Sequence, residues 1–176
     1  RHEDREWTFQ DLARSASDVA ALLAARGVQP RDVVAVSGPR SFGLISGMVG
    51  VLLARGVLLT LDSSLPAARR DLMVQAASAK QWLSISDSTD ETEQAGGALA
   101  SLPRTRISSQ GTCPDEPALR ASTITSNADP EDPAYIFFTS GSEIGFYQEC
   151  VAKAHAQGRK APKLITVTHE HASLNA

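Results

Sequence analysis

The sequence predicts an α/β fold in which a parallel-rich sheet is flanked by helices. Helical patterns alternate with short apolar runs along the first half of the chain, as expected for a parallel sheet covered by helices. The apolar runs are continuous rather than alternating, which is typical of strands that are buried on both faces. With 176 residues, the chain is long enough for one domain with a sizeable core. We therefore expect a single domain over residues 1–176.

The first predicted element is an amphipathic helix that begins after Thr8 and ends near Arg26. Thr8 and Asp11 have the spacing of a capping arrangement, in which each side chain accepts a hydrogen bond from the other residue's backbone. Gly27 can end the helix because glycine readily adopts the left-handed conformation found there. A short buried strand is predicted over Asp32–Val36.

Helices and strands continue to alternate after this strand. Pro66 favours a helix start, because proline suits the first helical turn. The apolar helix that follows the first strand contains Gly43 and Gly47, a pair that indicates close packing of a helix on the sheet. The predicted elements, in order, are helix Ser41–Ala54, strand Val57–Leu61, helix Pro66–Ser78 and strand Gln81–Ile85.

The stretch from residue 86 to 133 is rich in Ser, Thr, Asp, Glu, Gly and Pro. It predicts a long polar excursion over the surface, with short strands at Thr105–Ser108 and Ser122–Thr125. The chain then returns to the sheet. Tyr135–Phe138 is an apolar run that predicts an interior strand, and Leu164–Thr168 predicts another strand.

The sequence Thr139-Ser140-Gly141-Ser142 follows the predicted interior strand directly. Hydroxyl side chains donate hydrogen bonds, and glycine lets backbone N–H groups approach an anion closely. These residue types are also common in ordinary turns. The tetrapeptide by itself is therefore compatible with a phosphate site or with a simple strand-ending turn.

The surrounding residues resemble the adenylate-forming enzymes. Tyr135–Ser142 matches the start of the family signature Y-x-x-x-T-S-G-[ST]-[ST]-G-x-P-K-G, and Pro162–His169 resembles its continuation. Gly50–Met73 and Trp7–Val36 resemble two upstream segments of the family in the right order. Within the family, LDSSLPAARRDLM, residues 61–73, is most similar to amino-acid adenylation domains of nonribosomal peptide synthetases.

The resemblance implies a nucleotide site. It assigns the phosphates of ATP to a set of small residues and one lysine, with Mg²⁺ sharing the charge. The implied nucleotide-binding residues are Thr139, Ser140, Gly141, Ser142 and Lys163. It assigns no catalytic side chain and no metal ligand to this segment, because the chemistry depends on aligning anions and neutralising charge.

One departure from the family pattern falls inside the phosphate loop. Glu143–Ala161 inserts 19 residues where the family has three, and Leu164 replaces the glycine after the lysine. The insertion has too few large apolar residues for a core helix. We expect it to lie outside the sheet as a loop or short surface helix, so that replacing it by Thr-Gly-Lys should preserve the fold.

The implied reaction is the activation of a small carboxylic acid, in this case an amino acid, as an acyl adenylate with release of pyrophosphate. In a complete synthetase the partner is a carrier protein that receives the acyl group. The family's adenine, ribose and substrate-pocket segments do not follow before Ala176, so we expect a partial adenylation domain that is inactive alone. Two alternatives remain open, an acyl- or aryl-acid CoA ligase fragment and a non-catalytic remnant with a disrupted phosphate loop.

Composition excludes other classes of function. The formal net charge is −3 and aromatic residues make up 5% of the chain, which argues against nucleic-acid binding. The most apolar stretch, Phe42–Leu53, is shorter than the roughly 20 residues a membrane helix needs. Cys113 and Cys150 lack metal-site spacing and indicate a reducing cytoplasm. Asp62 follows a predicted strand, where α/β sheets also place ligand sites. The resemblance assigns it to a turn of the family, which we expect its side chain to stabilise.

Overall fold

The computed structural model describes residues 6–88, 97–113 and 132–138, together with the backbone of a strand at 166–168. Within that part, a six-stranded sheet lies between two pairs of helices. The helices are α1 (Phe9–Ala25), α2 (Phe42–Leu53), α3 (Ala67–Ala76) and α4 (Gly97–Ala100). The strands are β1 (Val33–Ser37), β2 (Val57–Leu61), β3 (Gln81–Ile85), β4 (Arg104–Ile107), β5 (Pro133–Ile136) and β6 (Thr166–Thr168).

The sheet has the strand order β4-β3-β1-β2-β5-β6. Strands β1 to β5 are parallel to their neighbours, and β6 pairs with β5 in the antiparallel direction. In the register of β1, Val33 lies beside Val57 of β2, and Val34 lies beside Gln81 of β3. The predicted parallel-rich sheet flanked by helices is confirmed.

Helix α1 begins at the capping arrangement that the sequence predicts. The Asp11 N–H donates to Thr8 Oγ1 at 3.1 Å, and the Thr8 N–H donates to Asp11 Oδ2 at 3.0 Å. Two N–H groups at the helix start are thereby satisfied by side chains. Gly27 follows the helix with φ of +87°, a conformation that suits glycine best.

Each face of the sheet supports its own apolar core. Helices α1 and α2 cover one face, where Leu23 and Val51 pack with Val36 and Leu83. Helices α3 and α4 cover the other face, where Val74 and Leu99 pack with inward-facing residues of β1, β2 and β3. Successive strand residues point to opposite faces, which explains why the continuous apolar runs of β1 and β2 are buried on both sides.

Glycines bring α2 close to its neighbours. A Cβ atom at Gly47 would lie 3.2 Å from the Leu83 side chain, and one at Gly50 would lie 2.6 Å from Val19 of α1. The Gly43 N–H donates to the Ser109 carbonyl at 2.6 Å. The close packing predicted for Gly43 and Gly47 is confirmed, with Gly47 above the sheet and Gly43 against the loop that follows β4.

The polar stretch 86–133 contributes more to the core than its composition predicts. Leu99 of α4 is 2% exposed, and its N–H donates to Asp71 of α3 at 3.1 Å. Strand β4 pairs with β3 and buries Ile107 completely. The sequence prediction missed these isolated apolar residues because the composition of the stretch as a whole is polar. The predicted strand at 105–108 is confirmed one residue earlier, whereas the one at 122–125 lies outside the described residues.

Strand β5 is interior, as predicted, but begins and ends two residues before the predicted bounds. Pro133 begins the strand, a position where proline is tolerated because it has no N–H to donate. Phe137 and Phe138 extend the apolar run beyond the paired residues. The insertion 143–161 lies outside the described residues, so its predicted position stays a prediction.

Candidate functional site

The carboxyl ends of the parallel strands meet at one edge of the sheet, which we call the carboxyl edge. In open α/β sheets, ligands bind in the crevice outside these strand ends. Strand β5 lies between β2 and β6, so its carboxyl end has a neighbouring strand on each side along this edge. The predicted nucleotide-binding residues Thr139, Ser140, Gly141, Ser142 and Lys163 lie outside the described residues. Strand β5, which precedes Thr139 in the chain, is described and runs parallel to β2 and β1.

Asp62 follows β2 at the carboxyl edge. Its Oδ1 accepts a hydrogen bond from the Ser64 N–H at 2.8 Å, which closes a local turn. Hydrogen bonds from the Ser64 backbone and side chain lower the pKa of Asp62, and the positive charge of Arg40 lowers it further. Asp62 is therefore an anion whose hydrogen-bond partner lies two residues away. The predicted turn-stabilising role is confirmed.

A second carboxylate lies farther along the same edge. Asp87 follows β3 and accepts a hydrogen bond from the Ser109 N–H, which follows β4, at 2.8 Å. The side-chain and backbone hydrogen bonds of Ser109 lower the pKa of Asp87. This contact ties together the loops after two neighbouring strands. Like Asp62, Asp87 has a structural role that the geometry explains without a ligand.

The loop between β1 and α2 brings a cation to the carboxyl edge. Arg40 is exposed, and its charge acts on Asp62, the residue after β2. The next residue, Ser41, caps α2 by accepting the Leu44 N–H at 3.2 Å. Our sequence prediction did not include Arg40. Its position in the loop directly after a predicted strand is the signal that could have identified it.

An open apolar hollow of about 640 Å³ lies where α1 and α2 begin. The rings of Trp7 and Phe42 stack in its wall, with centroids 3.8 Å apart and an interplanar angle of 6°. Arg40 also borders the hollow, and Phe9 and Ile45 expose apolar surface there. Most of the residues that line the hollow are apolar, and Thr8, Arg40 and Ser41 are the polar residues among them.

Phe137 and Phe138 connect β5 to the predicted phosphate loop, and their environments differ. Phe138 packs against the core on the α3 side of the sheet. Phe137 is 56% exposed. The Phe138 ring thus anchors the end of β5, while the Phe137 ring, two residues before Thr139, is open at the carboxyl edge.

The described ranges hold neither a metal cluster nor a membrane helix. Over residues 6–88, 97–113 and 132–138, there is no group of three His, Cys, Asp or Glu side chains placed to bind a metal ion. None of the helices described is both long enough and apolar enough to cross a membrane.

The fold is that of a parallel α/β domain with helices on both faces of its sheet. Residues 1–143 match the family model of the AMP-binding enzymes, and the chain belongs to that family. The family predicted from the motifs is confirmed.

Curated relatives are large synthases. Gramicidin S synthase 2 of Brevibacillus brevis is 30% identical over 140 residues, which are 80% of this chain and 3% of that protein. The isonitrile lipopeptide synthase of Streptomyces coeruleorubidus is 35% identical over 141 residues, which are 80% of this chain and 9% of that protein. The chain thus spans less than a tenth of the length of these two relatives.

Solved structures agree on the fold. The nonribosomal peptide synthetase FmoA3 in its AMPPNP-bound form has a TM-score of 0.65 at 26% identity, covering 96% of this chain and 15% of that one. The NpsA N-terminal subdomain of Klebsiella oxytoca, in complex with 3-hydroxybenzoyl-AMSN, has a TM-score of 0.64 at 24% identity. The match covers 95% of this chain and 36% of the NpsA chain, and at that identity it supports the fold alone.

Proposed function

We propose that the natural polypeptide carrying this sequence activates an amino acid with ATP, as nonribosomal peptide synthetases do. A carboxylate oxygen of the substrate attacks the α-phosphorus of ATP and forms a new oxygen–phosphorus bond. The bond between the α-phosphorus and the bridging oxygen of the β-phosphate breaks, and pyrophosphate leaves. The product is an aminoacyl adenylate. Two relatives support this proposal, because they are a gramicidin S synthase and an isonitrile lipopeptide synthase. One similar structure, a nonribosomal peptide synthetase, holds the ATP analogue AMPPNP.

The observation that carries the proposal is the position of β5. This strand is hydrogen-bonded between β2 and β6, and it runs parallel to β1 and β2. Thr139 begins three residues after the last residue of β5, Ile136. A loop that leaves an interior parallel strand in this direction emerges at the edge where α/β proteins bind nucleotides. The motif and the topology therefore favour the same site.

The chemistry that we assign to this site is positioning. Hydroxyl and backbone N–H groups of Thr139–Ser142 would donate to the β and γ phosphates, and Lys163 would neutralise charge on the departing pyrophosphate. Mg²⁺ would share that charge when ATP is bound. Arg40 adds a cation at the same edge, so we include it as a further candidate for a phosphate contact.

The finer parts of the proposal concern the surroundings of the enzyme. Carrier-protein transfer is supported by one similar structure, an artificial fusion of the NpsA adenylation domain to a carrier protein called a PCP. We propose that a carrier protein receives the activated acid. We also propose a cytoplasmic location, where ATP is available and cysteines stay reduced.

Exchange of labelled pyrophosphate into ATP tests this function directly. The natural polypeptide would be assayed with each of the common amino acids and with a panel of fatty and aryl acids. We expect exchange that depends on one or a few amino acids. Ser140→Ala should lower kcat/KM for ATP by about tenfold or more, because a hydrogen bond to a charged group is worth about 1.5 to 3 kcal/mol.

A matched control is Ser101→Ala. Ser101 is an exposed serine whose hydroxyl donates to the Ala98 carbonyl at 2.7 Å, and its removal should leave exchange unchanged. Exchange with fatty or aryl acids only would contradict the amino-acid assignment and favour a CoA ligase. Absence of exchange with every acid would contradict the enzymatic function and favour a non-catalytic remnant.

A further inference from the structure

A buried carboxylate lies immediately before β5, at the opposite edge of the sheet from the candidate site. Only 4% of the Asp132 side chain is exposed. Arg31 Nε donates to its Oδ1 at 2.7 Å, and Arg31 Nη2 lies 2.6 Å from the same oxygen. Arg55 Nη2 donates to Oδ2 at 2.9 Å. Both oxygens of one buried carboxylate are thus held by guanidinium groups. We call Asp132, Arg31 and Arg55 the amino-edge clamp.

The three residues of the clamp precede three neighbouring strands. Arg31 lies two residues before β1, Arg55 two residues before β2, and Asp132 one residue before β5. The backbone joins the first two as well, because the Arg31 N–H donates to the Arg55 carbonyl at 2.8 Å. The clamp therefore ties the start of β5 to the starts of the two strands on its inner side.

Both arginines have backbone conformations that favour glycine. Arg31 has φ of +72° and Arg55 has φ of +60°. Arg55 follows the C-cap of α2, the position where glycine in a left-handed conformation is most common. A side chain in this conformation is costly and persists only where the surroundings hold it. The contacts to Asp132 give both positions a reason to be arginine rather than glycine.

Strand β5 pairs with β2 over only two residues, and it is also held by pairing with β6 and by Phe138, which packs into the core beyond its end. It contains four residues, and its register with β2 pairs Tyr135 with Leu58 and Ile136 with Leu59. A shift of one residue would turn every side chain of β5 to the other face of the sheet. Asp132 is bound outside this short pairing, at a fixed point one residue before the strand. The clamp therefore fixes the start of β5, and the contacts of Phe138 and β6 act together with it on the end of the strand.

We propose that Asp132, Arg31 and Arg55 are positioning residues for the phosphate-binding loop. The clamp fixes β5 along the strand axis, and β5 in turn sets the positions of Phe137 and Phe138, which directly precede Thr139–Ser142 in the sequence. None of the three residues touches the nucleotide in this proposal, because they lie at the amino edge. The proposal deepens the proposed function and rests on it for the identity of the loop's ligand.

The test uses three variants of the natural polypeptide. Asp132→Asn removes the charge at nearly constant volume. Arg55→Gly removes the guanidinium but relieves the left-handed backbone, so it separates loss of the clamp from backbone strain. Ser78→Gly is the matched control, because Ser78 follows α3 with φ of +53° and is exposed. It relieves the same kind of strain without touching the clamp.

Two readouts are needed. The first is kcat/KM for ATP in pyrophosphate exchange, with KM for the amino acid measured alongside. We expect Asp132→Asn and Arg55→Gly to lower kcat/KM for ATP by about tenfold or more, because small misplacements of binding groups have effects of this size. The amino-acid KM should stay within about twofold, and Ser78→Gly should change neither quantity.

The second readout is the backbone amide chemical shifts of Phe137 and Phe138, which report the end of β5 without any ligand. The proposal requires these shifts to change in both clamp variants and not in Ser78→Gly. Unchanged shifts would overturn it, as would a lowered melting temperature with normal kcat/KM for ATP. Absence of exchange in the unmodified protein, with shifts that move as expected, would contradict the proposed function and leave the clamp's control of β5 supported.

Discussion

The two edges of the sheet hold their carboxylates in opposite ways. At the amino edge, Asp132 is buried and bound by two arginines that lie 101 and 77 residues away in the chain. At the carboxyl edge, Asp62 is exposed and accepts a hydrogen bond from a residue two positions away. The buried carboxylate at the amino edge joins three distant segments, whereas Asp62 at the carboxyl edge closes a turn within its own loop. A ligand bound at the carboxyl edge, as we propose, would therefore not have to break the amino-edge clamp.

The carboxylates at the two edges should also contribute differently to the free energy of unfolding. A buried carboxylate is tolerated only when it is paired, since desolvation of an unpaired charge is expensive. The exposed turns at the carboxyl edge contribute less, because water competes for the same groups. Substitutions at the amino edge should therefore affect stability more than those at the carboxyl edge. Three substitutions test that ranking, from the largest expected effect to the smallest, and Gly47→Ala is the comparison for the second of them.

Asp132→Asn should give the largest loss of stability. We expect the free energy of unfolding to fall by about 2 kcal/mol, below the 3 to 5 kcal/mol of a fully buried pair, because Arg31 and Arg55 are 63% and 34% exposed and can be hydrated. Urea unfolding followed by circular dichroism measures this. Asp71→Asn is the control, because Asp71 accepts a single described hydrogen bond from Leu99. An equal or larger loss in the control would contradict the ranking.

Gly43→Ala should have the next largest effect, at the carboxyl edge. A Cβ at Gly43 would collide with the backbone carbonyl of Ser108. Overpacking costs about 1 to 3 kcal/mol, and the higher helix propensity of alanine offsets up to about 1 kcal/mol of that. We expect a net loss of about 1 kcal/mol in thermal or urea unfolding.

Gly47→Ala is the comparison for Gly43→Ala. A Cβ at Gly47 would meet the ends of the Leu83 and Ile107 side chains at 3.2 and 3.3 Å, which can move more easily than backbone. Its effect should be close to zero, because the gain in helix propensity offsets the remaining contact. A larger loss at Gly47 than at Gly43 would show that the face of the sheet, not its carboxyl edge, limits the approach of α2.

Asp87→Asn should have a small, pH-dependent effect. Hydrogen bonds from Ser109 lower the pKa of Asp87 in the folded protein, so the carboxylate stabilises the fold above its unfolded pKa of about 3.9. That contribution is lost as the pH falls through the lower folded pKa. The variant should therefore differ from the unmodified chain at neutral pH and match it in strong acid. A difference that persists in strong acid would mean that the charge of Asp87 is not its source.

Local signals in the sequence account for much of the fold. The capping arrangement of Thr8 and Asp11 and the bounds of β2 and β3 follow from residues near one another in the chain. The turn at Asp62 was predictable for the same reason. The motif that identified the family is likewise a short continuous stretch around Tyr135.

Contacts between distant segments were not predictable. Nothing in the spacing of Arg31, Arg55 and Asp132 indicates that they meet, because the sheet order that joins β1, β2 and β5 depends on the whole fold. The left-handed backbone of the two arginines leaves no signal in the sequence either. The burial of Leu99 was not predictable for a related reason, because a single leucine inside a polar stretch does not produce the apolar periodicity of a helix or strand. The roles of Thr139, Ser140, Gly141, Ser142 and Lys163 stay predictions.

The carboxyl edge is tested most directly by a titration of the isotopically labelled 176-residue chain with Mg·ATP, followed by amide chemical shifts. We predict saturable shifts at Phe137, Phe138 and the residues after Asp62, with a dissociation constant in the millimolar range, because we expect residues 143–161 to interrupt the predicted phosphate loop. Ser140→Ala should remove them, and Arg31, Arg55 and Asp132 should not respond. Shifts centred on the amino edge, or no saturable shifts at the carboxyl edge, would contradict the claim that the carboxyl edge beside β5 binds the nucleotide.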